Sequence, residues 1–273
     1  MKKFILSFIG LVLWINIFAL TNTFTGTIDA NWGTAANWSL VMVPTATDGH
    51  VTTFDASSPN CTVNTSARVC NNIVFTNYTN TITMTFQITV SGDITLGASM
   101  GISGAGVLLA NAAGTLTSNG KTWPNNFTFN LSTVTYTLAD NWTVSGLVTV
   151  SGNNIVVNGN TLNIGGSLTI SNTSSGTTLF SYIGTGTWSG AGVLKNSLTF
   201  ESTSVVTVSG IVNYNTGTLT AVAGCSVTTT GSTLTMAAST TLNTNTINWN
   251  KITISAASTI TNNSALSIDG LLT

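Results

Sequence analysis

The chain has 273 residues, of which 42% are hydrophobic and only 5% are charged, and its net charge is −1; an ordinary soluble domain carries about 25% charged residues. That hydrophobicity excludes disorder driven by charge. Six Lys and Arg residues in all, two of them at positions 2 and 3, exclude both a phosphate-tracking nucleic-acid surface and electrostatic docking on an anionic membrane. The missing polarity comes from 53 Thr and 31 Asn. Thr favours extended backbone, and Asn with Gly tolerates tight turns and left-handed conformations. Composition therefore predicts many short strands separated by turns.

At the N-terminus, Lys2 and Lys3 precede an apolar run from Phe4 to Leu20. A short basic region followed by an apolar stretch is the pattern of a secretory signal peptide. Ile17 and Ala19 stand three and one residues before a cleavage after Ala19. An uncleaved anchor or a buried element are the alternatives. Residues 1–20 are set apart as the signal segment, and no membrane contact is expected beyond it.

Residues 21–88 are expected to form an N-terminal cap and the first coils. They hold Trp32 and Trp38, Pro44 and Pro59, and three of the seven acids. A solenoid needs its open end covered, because a bare strand edge templates aggregation. Cys61 and Cys70 lie nine residues apart and could close a disulfide after export, or stay two free thiols. Cys225 reads as a small buried hydrophobe. There is no CxxC pair and no Cys/His cluster, so no zinc site or other cofactor is expected.

Residues 89–273 are expected to be β-helix coils. Alternating β-branched runs recur, as in ITMTFQITV (82–90), FTFNLSTVTYTL (127–138), VVTVSGIVNY (205–214) and KITISAASTI (251–260). Pro is nearly absent after position 59, as continuous ladders require. A motif of the form apolar-x-Gly-x-apolar-x-apolar recurs around Gly92, Gly146, Gly166, Gly210 and Gly270. Their separations read as near multiples of about 20 residues, a plausible coil. SGAG recurs at 103–106 and 189–192, and a third repeat places Trp123 on Trp249. The expected fold is an all-β, right-handed parallel β-helix with an N-terminal cap region. An antiparallel sandwich or barrel is the alternative. The closing segment SALSIDGLLT stops inside the motif, so a cover from another chain, or truncation of a longer rod, is expected.

The order Trp32, Asn37-Trp38-Ser39, Val43-Pro44-Thr45, Asp48, Val51, Phe54-Asp55 resembles the element that opens many Thr/Ser/Gly-rich right-handed β-helix surface proteins, adhesin-like or fibre-like, of bacteria and phages. The resemblance runs over most of residues 25–273. It implies the fold and an extracellular, cell-surface or virion-surface setting, and it implies no enzymatic activity.

Candidate chemistry is sparse. His50 is the sole histidine and reads as a loop residue. Asp93, Asp140, Glu201 and Asp269 are scattered singly, whereas glycoside cleavage needs paired carboxylates. Asp48 and Asp55 lack calcium-loop spacing and read as turn caps. The aromatics could stack on sugars if exposed, with Trp123, Trp188 and Trp249 as binding candidates; otherwise they are core. Asn-x-Ser/Thr triplets follow from composition, and a flat Thr array for ice binding looks too irregular. The expected function is a secreted or cell-surface structural, adhesin-like protein without catalysis. Its expected partners are surface glycans or other copies of itself. A glycan-binding phage virion component is the alternative, and a polysaccharide-active enzyme the more distant one.

Overall fold

The computed structural model describes residues 19–131, 135–152, 155–156, 159–174, 179–244, 247–255 and 258–273; most of the stretch expected to be a signal segment, residues 1–18, lies outside them. Among the described residues every strand-to-strand pairing is parallel, and the only helix is a single 3-10 turn at Ala35–Asn37. The chain is an all-β parallel β-helix of about ten coils.

Each coil crosses three faces. The first face carries Val51–Phe54, Asn72–Phe75, Ile94–Thr95, Gly114–Thr117 and their successors. The second carries Cys61–Val63, Thr81–Met84 and Gly101–Gly104, and later Trp142–Val144 and Thr161–Ile164. The third is a single nine-stranded sheet from Arg68–Cys70 to Ser226–Thr228. Eight steps of about 4.8 Å make that sheet about 38 Å long. Its register advances by almost constant steps: Ile88 pairs with Leu108, Leu108 with Phe127, Phe127 with Val148, and Val148 with Leu168. The coils from Val51 onward belong to the same register series as those beyond residue 88.

The three repeats found in the sequence occupy different addresses from those expected. Gly92, Gly210 and Gly270 sit where the chain passes from the third face to the first, but Gly146 and Gly166 sit where it passes from the second to the third. The two SGAG copies divide in the same way: one follows the second-face strand Gly101–Gly104, the other the third-face strand Thr185–Ser189. Trp123 ends a second-face strand, whereas Trp249 lies between Asn248 and Asn250, which stack on Thr229 just past the third face. The repeated unit is thus the corner with its flanking strands, not the coil. Only spacings that compare like corners, such as the 60 residues from Gly210 to Gly270, measure whole coils.

Corners interrupt the backbone ladder, and Asx side chains restore it. Asn60, Asn72, Asn126 and Asn141 each offer Oδ1 to a backbone N–H one coil ahead, that of Thr81, Asp93, Leu147 and Thr161, at 2.7–2.9 Å. Asp93 does the same for Thr115 at 2.7 Å. These bonds explain the Asn content better than turns alone, because an unpaired N–H at a corner would be costly. A second device is a glycine column, Gly146, Gly166 and Gly186. A methyl added to Gly166 or Gly186 would collide with the carbonyl oxygen of the glycine one coil earlier.

The first coil is longer: Thr21 pairs with Val51, 30 residues on. The surplus folds over Phe24, Trp32, Trp38 and Phe54, all buried. Each residue of the NWS triplet has a task here. The Asn37 side chain accepts the N–H groups of Ile28 and Asp29 and donates to the Asp29 carboxylate and the Asn31 carbonyl. Trp38 donates its indole N–H to the Trp32 carbonyl at 2.8 Å, and Ser39 Oγ accepts the Thr23 N–H. Phe54 then stacks on Phe75 of the next coil at 4.9 Å.

Inward side chains form columns one coil apart, and in places a small residue makes room for large neighbours. On the third face Ala110 sits between Val90 and Phe129, leaving room for the edge-to-face pair Phe127–Phe129 at 4.7 Å. Phe127 also meets Trp142 at 4.6 Å. Phe127→Ala is expected to cost about 3–5 kcal/mol through lost burial and a cavity, and Gly166→Ala about 1–3 kcal/mol through overpacking. The outward Thr149→Ala should change stability by no more than about 0.5 kcal/mol. Denaturant midpoints of the three variants test that order.

Candidate functional site

Three consecutive coils meet at the corner between the first and second faces. Segment 76–80 follows Asn72–Phe75, segment 96–100 follows Ile94–Thr95, and segment 118–121 follows Gly114–Thr117. Together they leave an open cleft of about 620 Å³. Small-ligand sites commonly fall within roughly 300–1,000 Å³.

Its base is rigid. The Tyr78 ring is buried, and its hydroxyl lies 3.0 Å from the carbonyl oxygens of both Pro59 and Thr81. The N–H of Gly97 donates to Met100 Sδ at 3.3 Å. Asn119 is held from two coils: its N–H donates to Asp140 Oδ2 at 2.8 Å, and its Nδ2 to the Leu96 carbonyl at 2.7 Å. Three non-glycine residues among those described have left-handed backbone, and two of them, Asn77 and Asn119, line this cavity. Asn tolerates that region better than most residues. The rim carries Thr76, Asn77, Thr79 and Ser99, all exposed and with no side-chain hydrogen bond to another described residue. No Asp, Glu, Lys, Arg or His lines the cavity.

The residues singled out in the sequence lie elsewhere. Trp123, Trp188 and Trp249 are buried to within 1% of full burial. Trp123 donates to the Asn126 carbonyl, and Trp188 packs near Phe200 and Tyr214. Their indole faces are core surfaces, so they offer no platform to a sugar. Cys61 and Cys70 are separate buried thiols on neighbouring faces, and Cys225 is half-buried at the edge of the core. Burial raises the Cys61 thiol and pushes Cys70 up to about 12, so neither is a nucleophile near neutral pH.

The acids serve the backbone. Both Asp140 oxygens accept N–H groups, from Ser118 and Asn119, and Glu201 accepts the Ser181 hydroxyl. Asp48 caps the N–H groups of Thr45 and His50, and the His50 ring stands 3.8 Å from it. Asp93 and Asp269 both sit at third-to-first corners, but about nine coils apart, roughly 40 Å at the ~4.8 Å strand spacing. Among the described residues no three metal-ligating side chains gather, and no helix is long and apolar enough to cross a membrane.

Reasoning from the sequence missed the corner cavity because Thr, Ser and Asn line it as they line every coil. The available signal was loop length: two successive five-residue corners, 76–80 and 96–100, followed by shorter ones.

The ionisable groups set the pH range of the fold. The Asn31 N–H, followed by the Asn37 amide, holds the Asp29 carboxyl below its usual range, and the Ser57 hydroxyl chiefly does so for Asp55. A lowered carboxyl contributes stability above the unfolded value of about 3.9, and that stability is lost as pH falls through the folded value. Burial raises the phenols of Tyr78, Tyr136, Tyr182 and Tyr214 along with the two thiols. Their contribution is complete below the unfolded values, about 8.5 for Cys and 10 for Tyr, and is lost above them. Melting temperature is therefore expected to be flat between about pH 5 and 8, falling below about pH 4 and above about pH 9. A maximum confined to one pH unit near neutrality would contradict this.

Compared with protein-family profiles, with curated proteins and with solved structures, the chain matches none. The resemblance to adhesin-like and fibre-like β-helix proteins is therefore a matter of sequence pattern alone, with the parallel β-helix and its Thr/Ser-rich strands as the part that the structure shows.

Proposed function

We propose that the chain is a secreted or cell-surface structural protein, adhesin-like, that acts as a rigid spacer and carries no catalytic centre. The observation that carries this reading is the way the polar chemistry is used. Five of the seven carboxylates and the corner amides described above are engaged by backbone N–H groups of the same or neighbouring coils, Glu201 accepts the Ser181 hydroxyl, and the outward faces are Thr, Ser and Asn ladders. Such ladders join coil to coil, as in Thr83–Ser103 at 2.9 Å and Thr253–Thr273 at 3.1 Å. A rod built this way presents few charges and few exposed backbone groups to proteases. In this reading the long first coil, with its Trp32/Trp38 cluster, is the cap of the N-terminal end, and the apolar run from Phe4 to Leu20 directs export.

Export gives the first test. Expressed with its N-terminus intact, the chain is expected on the cell surface or in the medium, with a mature N-terminus near Leu20. Retention inside the cell with Met1 in place would refute the assignment. Proteolysis gives the second. Chymotrypsin at 37 °C is expected to leave the coils from Val51 to Ile254 as one fragment, although they contain many aromatic sites. Rapid cleavage within the coils would contradict a protease-resistant rod.

A further inference from the structure

We propose that the corner cleft formed by segments 76–80, 96–100 and 118–121 binds a neutral saccharide. The inference rests on the surface-protein reading only for where the ligand comes from. The site itself is argued from its chemistry.

Size comes first: about 620 Å³ holds one or two sugar rings. The lining then selects among ligands of that size. Thr76, Thr79 and Ser99 present hydroxyls, and Asn77 presents an amide. Each group can both donate and accept, which is the pattern a polyol also presents. With no Asp, Glu, Lys, Arg or His in the lining, there is no charge to attract a phosphate, a uronate or a sialic acid. The carboxylate bonded to a lining residue, Asp140, has both oxygens occupied by the N–H groups of Ser118 and Asn119.

The cleft is also organised in advance. Asn119 is tied to the coil before it and the coil after it, and Tyr78 is pinned beneath the rim. A site that does not need ordering retains more of its interaction energy on binding. The two aromatics of the lining, Phe75 and Tyr78, are buried and present little ring face for stacking, so each site is expected to be weak, in the millimolar range. Many copies on one surface would raise the avidity. The two smaller depressions, about 270 Å³ beside Asp269 and about 340 Å³ beside Thr241, lie elsewhere on the rod and provide an internal control.

The test uses the secreted chain and ligand-observed NMR with methyl glucoside, methyl mannoside, methyl galactoside, N-acetylglucosamine and lactose, alongside an array of neutral and sialylated glycans. At least one neutral sugar is expected to bind. Ser99→Trp, which fills the cleft, should weaken that binding by at least about tenfold. Asn77→Ala with Thr79→Ala, which removes hydrogen bonds and adds no bulk, should weaken it by about fivefold or more. Thr241→Ala in the separate depression should leave it within about twofold. Circular dichroism checks the fold of each variant, and the double alanine variant decides the matter if Ser99→Trp does not fold. The proposal is overturned if no neutral sugar binds at about 10 mM, a weak limit for specific binding. It is equally overturned if binding is indifferent to the cleft variants, or if only sialylated glycans bind. Absence of binding by a correctly exported chain sinks the cleft alone; binding by a chain that stays inside the cell sinks the surface assignment alone.

Discussion

Everything in this molecule depends on register between coils. A parallel ladder places each residue above its equivalent about 20 positions earlier, at a spacing of about 4.8 Å. An inward side chain must therefore fit the side chain directly beneath it, as Ala110 fits between Val90 and Phe129. A corner residue must hand its hydrogen bond to the next coil, as Asn141 does to Thr161. One coil cannot bury its own apolar side, so stability comes from the stack as a whole. A change of even one methyl group matters most where backbones of successive coils touch, as at Gly146, Gly166 and Gly186.

The same constraint accounts for what could be read from the sequence. Strands alternate buried and more exposed positions with period two, so runs such as FTF (127–129) and VVTV (205–208) were legible. The solenoid was legible because the turn residues recur and Pro is scarce. The addresses of the repeats were not. Corners between different faces impose the same local shape, so ISGAG and WSGAG read as one repeat although they stand on different corners. The tryptophans were ambiguous for a different reason: a flat aromatic suits a sugar and a solenoid core equally well in sequence. Burial decides between the two, and it places Trp123, Trp188 and Trp249 in the core.

The N-terminal segment shows how a motif can be understood without a relative. The residues from Trp32 to Asp55 that carry the resemblance are the ones that fold the 30-residue first coil. Asn37 gathers the loop, Trp38 and Phe54 fill its interior, and Asp48 and Asp55 cap its turns. A motif with such a structural task is compatible with any function built on a rod of this kind. Function itself must then come from local departures from regularity, and the corner at residues 76–80 and 96–100 is one of these.

The central claim, a parallel stack with a coil of about 20 residues, predicts distances along the third face. Thr89, Leu109, Thr128, Thr149, Thr169 and Ser189 form one outward column. Spin labels attached at Thr89→Cys paired in turn with Thr149→Cys, Thr169→Cys and Ser189→Cys report on it directly. Backbone separations of about 14, 19 and 24 Å are expected, rising by one strand spacing per coil. Distances that fail to rise steadily along the series, as the antiparallel sandwich would give, would contradict the account.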